Sequence, residues 1–103
     1  MSYSFKSDTC IASTVGTVLH QVGANNTISI IGCRAANRDT LAPHTFHITI
    51  DGVLISGIET PLPIGSAIDI MVGSKIIVES DAIIMAYADD DDVVDVYLSY
   101  LEQ

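Results

Sequence analysis

Four consecutive aspartates, Asp89 to Asp92, are the most conspicuous chemical feature of the chain. Oxygen ligands in a loop are what Ca²⁺ takes. Adjacent residues cannot all converge on one ion, however, and the spaced D-x-D-x-D-G loop is missing. A solvated loop tip of like charges is expected. His44 and His47 fall in one run of alternating residues, where a spacing of three puts them on opposite faces. His20 lies elsewhere, and a zinc site needs three or four convergent ligands. Ser56-Gly57 lacks the strand–turn–helix setting of a nucleophile elbow, and no glycine-rich loop leads into a helix. Cys10 and Cys33 form no C-x-x-C pair. Cys33 is expected as a buried small hydrophobe sharing a face with Ile31 and Ala35. Cys10 is expected as the more accessible thiol, and a disulfide through it is left open. The chain reads as non-enzymatic, with no cofactor and no metal.

The elements that carry these residues are strands. Fifteen Ile and nine Val stand against six Leu and no Trp. β-Branched side chains suit a pleated sheet, and no window sustains a helical period. A hundred and three residues make one domain,. With 49% apolar and 17% charged residues the chain is not disordered,. Thirteen acidic residues against four basic ones give a net charge of −9. That excludes the basic footprint of a nucleic-acid binder and docking on an anionic membrane. No leader-like segment is expected in the first 22 residues. The longest apolar run, Ala82 to Ala88, is far short of the roughly 20 residues of a spanning helix.

Residues 1–15 are polar, with isolated Tyr3, Phe5 and Ile11, and read as an N-terminal arm with one possible short strand. Residues 16–103 read as the sandwich domain. Strands are expected over Thr17 to Val22, Thr27 to Ala36, His44 to Asp51, Val53 to Ile58, Ala67 to Val72, Lys75 to Glu79, Ile83 to Ala88 and Val93 to Leu101. Asp51-Gly52 and Gly73-Ser74 supply hairpins, while Pro61 and Pro63 are expected to break pairing. In the last strand Val94, Val96, Leu98 and Tyr100 share the core face. About eight strands at this spacing predict an all-β antiparallel sandwich, jelly-roll-like in plan.

Apolar surface is in surplus. Val53 to Ile55, Ile76 to Val78 and Ile83 to Met85 are apolar on both faces, and Tyr97 and Leu101 lie opposite the core face of the last strand. A two-layer sandwich buries one face per sheet, so a further contact is expected. The interface candidates are Tyr3, Phe5, Ile11, Tyr97 and Leu101.

Thr27 to Asn37, His44 to Ile50, Thr60 to Ser66, Lys75 to Asp81 and Asp95 to Glu102, taken in this order, together resemble small virion structural proteins of tailed bacteriophages. Thr27 to Asn37 (TISIIGCRAAN) is similar to the group's "T-x-x-(V/I)-I-G-x-x-x-A-N" strand and turn. His44 to Ile50 stands at its alternating strand, and Thr60 to Ser66 (TPLPIGS) at its "x-P-(V/I)-P-x-G-S" turn. Lys75 to Asp81 (KIIVESD) resembles its "K-(I/L)-V-L-E-x-G-D" hairpin without the glycine, and Asp95 to Glu102 (DVYLSYLE) its closing strand. The resemblance spans residues 16–102 and leaves the arm unmatched. It implies a structural subunit of the virion, assembled in the host cytoplasm. A capsid decoration (cement) protein is preferred and a neck or tail accessory protein is the alternative. The partners implied are further copies of the chain, a trimer by capsid symmetry, and the major capsid protein or other virion proteins. A rival from another class is a carbohydrate-binding β-sandwich, which the 6% aromatic content and absence of Trp disfavour.

Overall fold

The computed structural model describes residues 4–57, 59–70 and 76–103. Tyr3, Ile58, Val72, Lys75 and the expected Gly73-Ser74 hairpin lie outside the described residues. Among the described residues ten strands are present: β1 (Ser4–Ile11), β2 (Thr17–Gln21), β3 (Ile28–Asn37), β4 (His44–Ile50), β5 (Val53–Leu54), β6 (Thr60–Leu62), β7 (Ala67–Asp69), β8 (Ile76–Val78), β9 (Ile83–Ala88) and β10 (Val94–Glu102). They form two five-stranded antiparallel sheets. The first runs β1-β10-β3, with β7 and β8 end to end along the far edge of β3. The second runs β2-β9-β4, with β5 and β6 end to end along β4.

Alternation builds the core. Val94, Val96, Leu98 and Tyr100 of β10 face inward and are buried, as expected. Phe46 and Ile48 of β4 and Ile84, Ala86 and Ala88 of β9 meet them from the other sheet. Val78 is buried beside half-buried Ile76 and exposed Ile77, and Ile68 and Ile70 pack on the core. Asp51 and Gly52 both take positive φ, 50° and 82°, the geometry of a type I′ hairpin,. Asp81 supplies the φ of +65° that a glycine would otherwise give at the turn before β9,.

Three readings change. The stretch read as an arm contains a full edge strand: β1 pairs with β10 without a break from Ser4↔Glu102 to Ile11↔Asp95. Its burial is low because it is an edge strand, hydrogen-bonded to β10 alone, and its sequence accordingly lacks a central strand's hydrophobicity. Pro61 does not break pairing, since Thr60–Leu62 lies along β4 with Pro61 opposite Thr45. Proline is tolerated on an edge strand, where its missing N–H need not join a ladder. Thirdly, β3 carries a bulge where Ile31 has no register partner between Ile30↔Tyr100 and Gly32↔Ser99. One extra residue reverses the facing. Ile28 and Ile30 point inward before it and Cys33 and Ala35 after it, so half-buried Ile31 does not share Cys33's face.

Asn37 closes β3 and is buried at 5% exposure. Its side-chain amide donates to the carbonyls of Ala42 and Leu62 at 3.1 Å and of Pro63 at 3.4 Å, while Oδ1 accepts from the Asp39 amide. One side chain thus ties the loop after β3 to the turn after β6. Asn37→Ala strands these buried backbone groups and is expected to cost about 1–3 kcal/mol in urea unfolding. Unfolding with an unchanged midpoint would show that water replaces the amide.

Candidate functional site

The described interface candidates, Phe5, Ile11, Tyr97 and Leu101, come together on the outer face of the first sheet. β10 alternates, so Asp95, Tyr97, Ser99 and Leu101 point away from the core. Register places Phe5 beside Leu101 and Ile11 beside Asp95. On the other side of β10, Tyr97 stands beside Arg34 of β3, and Leu101 beside Ser29, which in turn faces exposed Ile77 of β8. Phe5 is 80% exposed and Tyr97 45%. The bulge adds Ile31 to this face, where it shares a hollow with Phe5, Tyr97 and Ser99. A second hollow of about 360 Å³ is lined by Ile11, Arg34, Ala36 and Tyr97, among others. Tyr97 lines both.

Polar pairs frame the apolar stripe. Arg34 meets both carboxylate oxygens of Asp69 at 2.8 and 3.3 Å, and Arg38 reaches Asp95 at 3.5 Å. Three of the four basic residues, Lys6, Arg34 and Arg38, belong to this sheet or its end. Exposed apolar anchors with tyrosine and arginine at the centre match the composition of protein-binding surfaces.

The second sheet uses its surplus internally. Tyr87 stacks on His47 with ring centroids 4.5 Å apart, and its hydroxyl lies 3.7 Å from the Met85 sulfur. Gly16, at φ +97°, packs so closely that a Cβ there would stand 2.6 Å from the Tyr87 ring and 2.8 Å from the Met85 methyl. The outward side of β9 is therefore half-buried by its own neighbours, with Val18 of β2 exposed beside Met85. Val53 and Ile77 stay exposed along a shallow apolar groove between β5 and β8.

The candidate chemistry resolves differently from expectation at one place. Asp89 and Asp91 of the acidic run each have a separate task. Asp89 meets His44 Nδ1 at 3.0 Å and Asp91 accepts the Thr14 amide at 2.9 Å. His44 Nε2 lies 2.8 Å from Asp39, so a buried imidazole joins two loops through two carboxylates. His47 is on the opposite face, as the alternation requires. His20 is remote from both, paired through Nδ1 with Asp8 across the seam between β1 and β2. Tyr100 lies against it at 4.6 Å between centroids. No group of three metal-ligating side chains occurs among the described residues. Cys10 and Cys33 are free thiols. Burial pushes Cys10 up to about 11, helped by Asp95, and Cys33 up to about 12, so both are poor nucleophiles.

Sequence reasoning missed Asp39 and Asp89 as partners of His44, because their separations of five and forty-five residues carry no period. Arg34 and Ile77 lacked any signal beyond their type. Ile31 had one, since a glycine inside a strand pattern marks a bulge.

The hydrogen bond from His44 to Asp39 raises the His44 pKa above its ordinary 6.5, and the charge of Asp89 adds to this against desolvation. The same bond, then the Leu41 amide, lowers Asp39 below 3.8. The histidine's contribution to stability is complete below pH 6.5 and fades as pH rises through its raised folded value. That of Asp39 is present above pH 3.8 and is lost as acid passes its lowered folded value. Urea midpoints of the wild type should therefore fall between pH 6 and pH 9, and His44→Gln should flatten that fall. Equal slopes in the two proteins would contradict the assignment.

Comparison with protein-family models, with curated proteins and with solved structures finds no match to this chain.

Proposed function

We propose that this chain is a non-enzymatic structural subunit of a tailed-phage virion that binds through the outer face of its first sheet. A capsid decoration role is preferred, and a neck or tail position is the alternative within the same class. The observation that carries the binding mode is the apolar stripe of Phe5, Leu101, Ile31, Ile77 and Tyr97. In the single chain Phe5, Ile77 and Tyr97 of this stripe are exposed and Leu101 and Ile31 half-buried, whereas on the second sheet Tyr87, Met85 and the Gly16 turn partly cover β9 and leave Val18 exposed beside them. The virion setting is supported by the ordered resemblance over residues 16–102.

Such a subunit acts by mass action. Copies that bind only an assembled lattice stabilise it in proportion to their occupancy, and an array of weak contacts holds by effective concentration. Each buried anchor, Phe5 or Tyr97, contributes roughly 1.5–3 kcal/mol. The two salt bridges on the face are exposed and add orientation more than affinity.

The test is sedimentation of the full chain with purified heads and tails of its own phage. Saturable binding to heads is expected. Tyr97→Glu and Leu101→Glu should each weaken it at least about tenfold while leaving the far-UV spectrum and melting temperature unchanged. Failure of the wild type to bind either structure overturns the virion reading, and a positive glycan array would move the chain to the carbohydrate-binding class.

A further inference from the structure

We propose that two copies of the chain pair edge to edge through β1, antiparallel about a two-fold axis at Ser7, so that the two outer faces form one continuous surface. This surface differs from the sheet face above, and the inference stands independently of the virion reading.

The edge itself is the first observation. β1 is eight residues long and pairs only with β10; among the described residues no strand hydrogen-bonds to its other edge, and β2 of the second sheet touches β1 through the His20–Asp8 pair. An unpaired edge of this length is a template for another strand, and proteins normally blunt it. The other edges here are blunted. β5, β6, β7 and β8 are two or three residues long, and β6 carries Pro61. β2 has five residues and an irregular register between Val18 and His20. β1 has no proline, no glycine and no break in its pairing with β10.

Its apparent guards are the charges of Lys6 and Asp8, and together they select the register,. A two-fold axis normal to the sheet keeps each residue's facing, so only residues of like facing can stand opposite one another. Phe5, Ser7, Thr9 and Ile11 face outward; Lys6, Asp8 and Cys10 face the other way. Centring the pair on Lys6 or on Asp8 sets like charges directly opposite, which is destabilising. Centring it on Thr9 leaves only residues 7–11 to pair. Centring it on Ser7 pairs residues 4–10 and sets Lys6 of each copy opposite Asp8 of the other, twice. Phe5 then stands beside Thr9, extending the apolar stripe across the junction.

Existing contacts allow this. Lys6 binds Glu102 at 2.6 Å yet its side chain is half exposed, and Asp8 is 37% exposed although it serves His20 and Tyr100. The strand carries one positive and one negative charge, so the junction is locally neutral in a chain of net charge −9. A two-fold pair closes with two copies, in place of the three-fold arrangement that capsid symmetry suggests.

Cross-linking of the full chain reads the register directly. In a C10S background, Ser7→Cys should give a covalent dimer on mild oxidation. Opposed residues have Cα atoms about 4.5–5.5 Å apart, within disulfide reach. Thr9→Cys should not, because its copies would be about 14 Å apart along the strands. Sedimentation equilibrium should show a wild-type dimer at high micromolar concentration. Lys6→Glu, which sets acid opposite acid twice, should raise its Kd at least about tenfold. A wild type that is monomeric there overturns the proposal. So does a dimer unaffected by K6E, and so does cross-linking by T9C instead of S7C, or by neither.

Discussion

A strand inside a sheet must satisfy hydrogen-bond ladders along both edges while its side chains alternate between two surroundings. β10 meets this demand for the whole molecule. It pairs with β1 on one side and with β3 on the other over nearly its full length. Its inward residues, Val94 to Tyr100 in alternation, supply one wall of the core. The pleat then leaves no freedom for the others. Tyr97 and Leu101 must face out, and whatever stands opposite them on β1 and β3 shares their surface. The core wall and the apolar outer face of the first sheet are thus two consequences of one period of two.

The two sheets resolve a common problem in opposite ways. Both carry apolar residues on faces that a two-layer sandwich does not bury. In the second sheet the chain covers that face itself, by bringing the Gly16 turn against Tyr87 and Met85 where only glycine leaves room. In the first sheet nothing comparable occurs among the described residues, and Phe5, Ile11 and Ile77 stay exposed on the same face as Tyr97. The cost of leaving them in water, roughly 25 cal/mol for each Å², is the free energy available to a partner. The polar loops at one end are organised differently, by Asn37 and by the imidazole of His44 between Asp39 and Asp89. These groups hold the loops at that end in place.

Much of this was legible in the residues because strand alternation is local. The inward set of β10, the opposite facing of His44 and His47, and the Asp51-Gly52 turn follow from neighbours a few positions apart. What escaped the sequence was non-local. β1 lacks a hydrophobic pattern because it is an edge strand, and its status depends on β10, some ninety residues away. Cys33 and Ala35 are buried as their pattern indicates, but the departure of Ile31 from their face depends on a bulge that Ile31 and Gly32 create against Ser99. The two carboxylates of His44 arrive from separate loops. The interface candidates could be grouped by strand in the sequence, but only the β1–β10 register sets Phe5 beside Leu101.

Hydroxyl-radical footprinting of the chain alone and in its assembled state measures directly which sheet carries association. Phe5, Ile11, Tyr97 and Leu101 are expected to lose reactivity on assembly, while exposed Val18, Leu41 and Val53 keep theirs. Protection of Val18, Leu41 and Val53 with Phe5 and Tyr97 still fully reactive would contradict the assignment of the binding face to the first sheet.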